Sequence, residues 1–228
     1  MNIGVLLSGS GVYDGSEIQE SVSVLIALDE LGVEVTCLAP DAAQHHVVNH
    51  LTGEEMEPER NIRIESARIA RGEVSSLSDV DPVSLDGLVI PGGFGAAKNL
   101  CTWAFDGPNA SVRDDVKSLI RSLVEAGTPI AALCVAPVVV AKAMEGTDVH
   151  PTLTLGTHAG QSPYDIDGFH QGIESVGAVP VACELGDIVV DEANKIITSP
   201  CYMMEASPAK ILAGVRKACK KLVELASN

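Results

Sequence analysis

The sequence predicts a doubly wound α/β sandwich on a mostly parallel central sheet. Three observations carry the prediction. Short apolar runs rich in Val, Ile and Leu alternate with helix-period segments along almost the whole chain. The runs are bounded by Gly, Pro or Ser turns. No internal repeat, low-complexity tract or Gly/Ser linker marks a second unit, so residues 1–228 read as one domain.

The run Ile3 to Leu7 reads as a fully buried strand that stops at Ser8-Gly9-Ser10-Gly11. A helix follows from near Glu17, with Ser16 as N-cap, Ile18, Val22, Leu25, Ile26 and Leu28 as its apolar stripe, and Gly32 closing it. Val33 to Leu38 is the second strand, stopped by Pro40. Asp41 to Arg71 is less regular, with an exposed loop at Glu54-Glu55-Met56-Glu57 and a helical turn or two between Asn61 and Ala70. Gly87 to Ile90 is a strand and Pro91-Gly92-Gly93 a turn. A helix spans about Ser111 to Ala126, and Thr128-Pro129 leads into the strand Ile130 to Leu133. The next helix, Pro137 to Met144, opens on a proline, which a first helical turn accommodates. Thr152 to Leu155 is a short strand, Ile166 to Ser175 a helix, and Val179 to Cys183 and Ile188 to Asp191 are strands. Asp191 to Lys195 turns a hairpin into the strand Ile196 to Ser199, and an amphipathic basic helix from Ala209 to Leu225 ends the chain.

Composition narrows the partners. A net charge of -16 opposes nucleic-acid backbones and anionic membrane surfaces, which need a positive footprint. Aromatic residues, at 3%, are too few for a base-stacking platform, and suggest a pocket lined by backbone and small side chains. No apolar run approaches the roughly 20 residues of a membrane span. Met1 to Leu7 lacks the basic region of a signal peptide, so a cytoplasmic protein is expected. The six cysteines include no close pair of the kind zinc and thioredoxin motifs use. Gly9-Ser10-Gly11-Val12-Tyr13-Asp14 starts like a dinucleotide fingerprint but carries Asp where the third glycine belongs. His46 and His50, spaced i, i+4, lack a third ligand nearby. No cofactor and no metal are expected.

Ligands of doubly wound sheets collect at the carboxyl ends of the strands, and three features fall there. Cys134 ends a strand and is followed by Val135-Ala136-Pro137 and a helix, the layout of a nucleophile elbow. The positive end of that helix dipole would lower the thiol pKa. Pro91-Gly92-Gly93-Phe94-Gly95 lets backbone approach a ligand, and the Gly93 and Val135 amides together could form an oxyanion hole. Glu17 and Glu20 share one face at the start of the first helix, at the same sheet edge. A buried carboxyl there would have a raised pKa and could share a proton with the thiol. Gly92, Phe94 and Asn99 are candidate substrate contacts, and Cys201, at another strand end, is a candidate second thiol at the site.

These features together resemble the PfpI/ThiJ superfamily within the class I glutamine amidotransferase-like fold, a flavodoxin-like sandwich. The ElbB-type glyoxalases are the more similar branch. The resemblance rests on Leu7 to Ile18, on Asn49-His50-Leu51-Thr52-Gly53, on Ser66 to Gly72 and on Pro91 to Leu100. Cys134-Val135-Ala136-Pro137 and Ile196-Ile197-Thr198-Ser199-Pro200 complete it. It implies a cofactor-independent, glutathione-independent glyoxalase, converting glyoxal to glycolate or methylglyoxal to lactate, and a homodimer. Its nucleophile falls on Cys134, its acidic partner on Glu20 with Glu17 as alternate, and its histidine on His158. Val135 stands where protease-like members carry His, and Ala159-Gly160 follows His158 where glutaminases carry x-Glu, so neither activity is expected. A non-catalytic redox-sensing or interaction protein, or a small-substrate hydrolase or amidase, remains the alternative.

Overall fold

The computed structural model describes residues 1–228. Its main sheet has seven strands: β1 (Asn2–Leu6), β2 (Glu34–Ala39), β3 (Ser75–Ser76), β4 (Gly87–Ile90), β5 (Ile130–Leu133), β8 (Val189–Asp191) and β9 (Ile196–Ser199). Their spatial order is β3-β2-β1-β4-β5-β9-β8. All neighbours are parallel except β8 and β9, joined by the Asp191–Lys195 hairpin. The hairpin is built on Asp191, whose carboxylate accepts from the Asn194 amide at 3.1 Å and from the Thr152 amide at 2.8 Å. β1, β4 and β5 are apolar runs buried on both faces, as a sheet covered on both sides requires.

The helices are α1 (Ile18–Glu30), α2 (Ile62–Ile69), α3 (Trp103–Asp106), α4 (Asp114–Glu125), α5 (Pro137–Met144), α6 (Ile166–Ser175) and α7 (Pro208–Ala226). They cover the sheet around one continuous core of 58 buried apolar residues. The fold class read from the sequence is the one observed.

Some readings need correction. The strand expected at Val179–Cys183 is only β7 (Val179–Pro180). It pairs with β6 (Thr152–Leu153) in a separate two-stranded sheet outside the main one. The helix expected from Ser111 starts at Asp114, because Val112 bridges to Cys101 and keeps the chain extended to Arg113. The segment holding His46 and His50 is not helical: the Tyr13 amide donates to Nε2 of His50, and Nδ1 of His50 faces the Val48 carbonyl. A π-turn at Ala96–Leu100, α3 and β3 carried no sequence signal strong enough to be read.

The most informative correction concerns α1. Its apparent apolar stripe holds only in part: Leu28 is buried and Leu25 half-buried against the core, but Ile18, Val22 and Ile26 are exposed, and Glu20, Val24 and Ala27 are buried instead. Its N-cap is Glu17, which accepts from the Glu20 amide at 2.6 Å. Ser16 instead accepts from the Ser8 amide at 2.8 Å and meets the Ser8 hydroxyl, tying the start of α1 to the end of β1.

Candidate active site

β5 delivers Cys134 to the carboxyl edge of the sheet. The chain then turns sharply, with Cys134 at φ 58, in the left-handed region that costs a non-glycine residue about 1–3 kcal/mol. The surroundings impose it: the Cys134 amide donates to Ser199 at 2.9 Å on neighbouring β9, the Ala136 amide donates to Leu133 at 2.9 Å, and Pro137 starts α5. The thiol is held at an elbow and is 5% exposed.

Glu20 meets it from α1 and is fully buried. One carboxylate oxygen accepts from the Gly92 amide at 2.9 Å, and the other accepts from the Tyr202 amide at 3.1 Å. The carboxyl lies beside the Cys134 thiol, close enough for the two to influence each other's ionisation. Gly92 makes the meeting possible. A Cβ there would lie 2.2 Å from Cys134 Cβ and 2.7 Å from the Glu20 carboxylate.

The electrostatics follow from this burial. Desolvation pushes the Glu20 carboxyl up to about 7; the Tyr202 amide opposes the shift and the nearby Glu17 charge adds to it. The thiol moves opposite to the expectation from the helix dipole. Burial, then the charges of Glu20 and Cys201, push Cys134 well above the usual thiol range. Thiolate therefore forms as Glu20 accepts the proton, rather than standing free beforehand.

Gly93 sits at φ +94, and a Cβ would lie 2.3 Å from the Glu17 amide nitrogen and 2.4 Å from the Gly15 carbonyl. The Gly93 amide borders the Cys134 thiol. Neither it nor the Val135 amide has a backbone acceptor. Both residues line a narrow, partly open cavity at the thiol. Four of the chain's seven aromatic residues, Phe94, Tyr164, Phe169 and Tyr202, also line it. The low aromatic content therefore misleads about the pocket, because most of the rings are gathered in one place. Outside it lies an open vestibule of about 890 Å³ that shares Val12, Glu17, Tyr164 and Tyr202.

The other candidates divide. Glu17 borders the cavity as the cap of α1, half-buried, with its carboxyl pushed up mainly by burial. His158 is not brought to the thiol: its side chain is 72% exposed and lies 3.4 Å from Asp167. Asn99 does not line the cavity at the thiol. Its amide nitrogen donates to the Ser8 and Asp14 carbonyls at 2.8 and 2.9 Å, and its oxygen accepts from the His45 amide at 2.9 Å. It is consumed in holding the glycine loop. Tyr164 and Tyr202 were not singled out from the sequence. For Tyr202 a signal existed, since β9 beside β5 must end at the same edge. Cys201, buried at φ 44, lies there too, beside Cys134.

A buried cysteine at a strand-to-helix elbow, beside a buried carboxyl from the first helix of a doubly wound sheet, defines a class of cysteine-centred α/β proteins. Within that class the chain belongs to the DJ-1/PfpI family, whose profile matches residues 11–199. It is 39% identical over 227 residues to the human glutamine amidotransferase-like class 1 domain-containing protein 3, mitochondrial, covering 98% of this chain and 82% of that one. Among solved structures it is similar to an isoprenoid biosynthesis protein with an amidotransferase-like domain from Ehrlichia chaffeensis. That likeness has TM-score 0.88 and 34% identity, over 99% of both chains. Glyoxalase III from Candida albicans shares the fold, with TM-score 0.61 and 15% identity, over 99% of this chain and 97% of that one.

Proposed function

We propose that the chain is a glutathione-independent glyoxalase of the ElbB type, converting glyoxal to glycolate. The observation that carries the reading is the buried Glu20 carboxyl, held beside Cys134 by the Gly92 and Tyr202 amides, next to the Gly93 and Val135 amides, which have no backbone acceptor. Glu20 takes the thiol proton as sulfur adds to one carbonyl carbon, and the two amides hold the oxyanion until Glu20 returns that proton to it, giving a hemithioacetal and freeing the carboxylate. Glu20 next removes the hydrogen from the carbon bearing sulfur while the second oxygen takes up a proton, giving an enediol. Return of the Glu20 proton to the second carbon, with loss of the proton on the first oxygen, leaves a glycolate thioester. Water cleaves the C–S bond, releasing glycolate and restoring the thiol.

Purified protein incubated with glyoxal should form glycolate, and Cys134→Ala should not. The charge of -16 supports an uncharged substrate over an anionic one. The exposed apolar stripe of Ile18, Val22 and Ile26 supports a homodimer, measurable by light scattering. No helix is long and apolar enough to cross a membrane. The cytoplasmic location expected from the sequence stands as a proposal against the human, rat and zebrafish relatives, which are named mitochondrial, and cell fractionation tests it. A second reading, a redox sensor, is favoured by the burial of Cys201 against Cys134. Selective oxidation of Cys134 without glyoxal turnover would support it.

A further inference from the structure

We infer that Tyr164 contacts the substrate, donating its phenol hydrogen bond to the second oxygen of a dicarbonyl bound at Cys134. The inference deepens the glyoxalase reading and rests on its aldehyde chemistry. A dicarbonyl attached at one carbon presents two oxygens. The first is met by the Gly93 and Val135 amides, so the second points elsewhere in the cavity. Negative charge builds on that second oxygen when the carbon hydrogen is removed, and the enediol needs a donor there.

The cavity wall offers few donors. Val12, Phe169 and Met203 are apolar. Among the wall's hydroxyls, that of Tyr202 is already hydrogen-bonded to the Gln19 side chain. Tyr164 makes its hydrogen bonds through its backbone: its amide donates to the Ser162 hydroxyl at 3.0 Å and its carbonyl accepts from the Ile166 amide at 3.1 Å. The phenol is left without a protein partner. His158, the histidine that would have served, faces solvent.

Tyr164 is also held in place. Ser162 donates to the Met203 carbonyl at 2.7 Å, stitching the Tyr164 loop to the segment after β9. The ring meets Phe94 edge-on at 6.0 Å and 67°. It borders both the narrow cavity and the vestibule, so it stands in the wall between them. Burial, with the charges of Cys134 and Glu20, pushes the phenol up to about 12, and it stays protonated wherever Glu20 titrates.

The test uses Tyr164→Phe, which keeps the ring. Two readouts are compared with wild type: glycolate formation from glyoxal, and protection of Cys134 from iodoacetamide by glyoxal or by acetaldehyde, which lacks a second oxygen. The variant should lose about 10²-fold in kcat, and glyoxal should protect Cys134 at least about tenfold less well. Acetaldehyde protection and the alkylation rate without aldehyde should be unchanged, which a merely structural defect would not allow. Equal turnover and equal glyoxal protection in the two proteins would overturn the inference. If wild type makes no glycolate, yet the variant loses glyoxal protection alone, the glyoxalase reading fails and the Tyr164 contact stands. If glyoxal does not protect wild-type Cys134, both fall.

Discussion

The Tyr202 amide donates to the Glu20 carboxylate at 3.1 Å across 182 residues of sequence. This bond ties α1 to the segment after β9. It occupies one carboxylate oxygen while the Gly92 amide occupies the other. Two amides thus fix the carboxyl in rotation and leave its remaining capacity for the Cys134 thiol. A group so held is a positioned base rather than a mobile surface charge.

The first prediction concerns pH and rate. Glu20 must be ionised to accept the thiol proton, and its carboxyl lies at about 7. The glyoxalase kcat/KM should therefore rise about tenfold per pH unit below 7 and level off above it. A flat profile between pH 5 and 8 would remove Glu20 from that role.

The second concerns pH and stability. The folded Glu20 carboxyl is raised from 4.5 to about 7, so the native state holds a proton that the unfolded chain releases between those values. Its contribution is present in full below pH 4.5 and lost as pH rises to 7, by about 3 kcal/mol. Chemical denaturation at pH 5 and 7.5 should show this fall, and Glu20→Gln should flatten the slope. Glu17, also raised, contributes a remaining slope of the same sign.

Gly92→Ala places a methyl 2.2 Å from Cys134 Cβ, between the two reacting side chains. They must separate, so turnover should fall by about 10²-fold or more. Stability should drop by about 1–3 kcal/mol. Steady-state kinetics with urea unfolding of the same variant reads both.

Asn99 and His158 should behave oppositely to substrate-binding residues. Asn99→Ala strands the Ser8 and Asp14 carbonyls and should cost about 1–3 kcal/mol of stability with KM for glyoxal unchanged. His158→Ala should leave both kcat and stability unchanged, since the side chain is solvated. A large loss of kcat in His158→Ala would return the histidine to the mechanism.

How far the sequence could be read depends on which force decides each element. Strands β1, β4 and β5 are fully buried, so their apolar runs were legible, and so was the elbow at Cys134, where a strand runs into a proline-started helix. α1 was legible as a helix but not in its rotation. Its hydrophobic periodicity turns Ile18, Val22 and Ile26 inward, whereas the carboxylate bonds of Glu20 to the Gly92 and Tyr202 amides turn them outward. A polar network at the sheet edge overrides apolar patterning there. Tyr164 was illegible because its position depends on a loop stitched to Met203 by one serine hydroxyl, which no local pattern encodes. The thiol pKa was misread because the helix dipole was weighed without the burial that outweighs it.

The most direct measurement follows ¹³C-labelled glyoxal by NMR with wild-type protein, Cys134→Ala and Glu20→Gln. The account predicts a glycolate signal from wild type, none above the uncatalysed background from Cys134→Ala, and a strongly reduced one from Glu20→Gln. Undiminished glycolate formation by Cys134→Ala would contradict it.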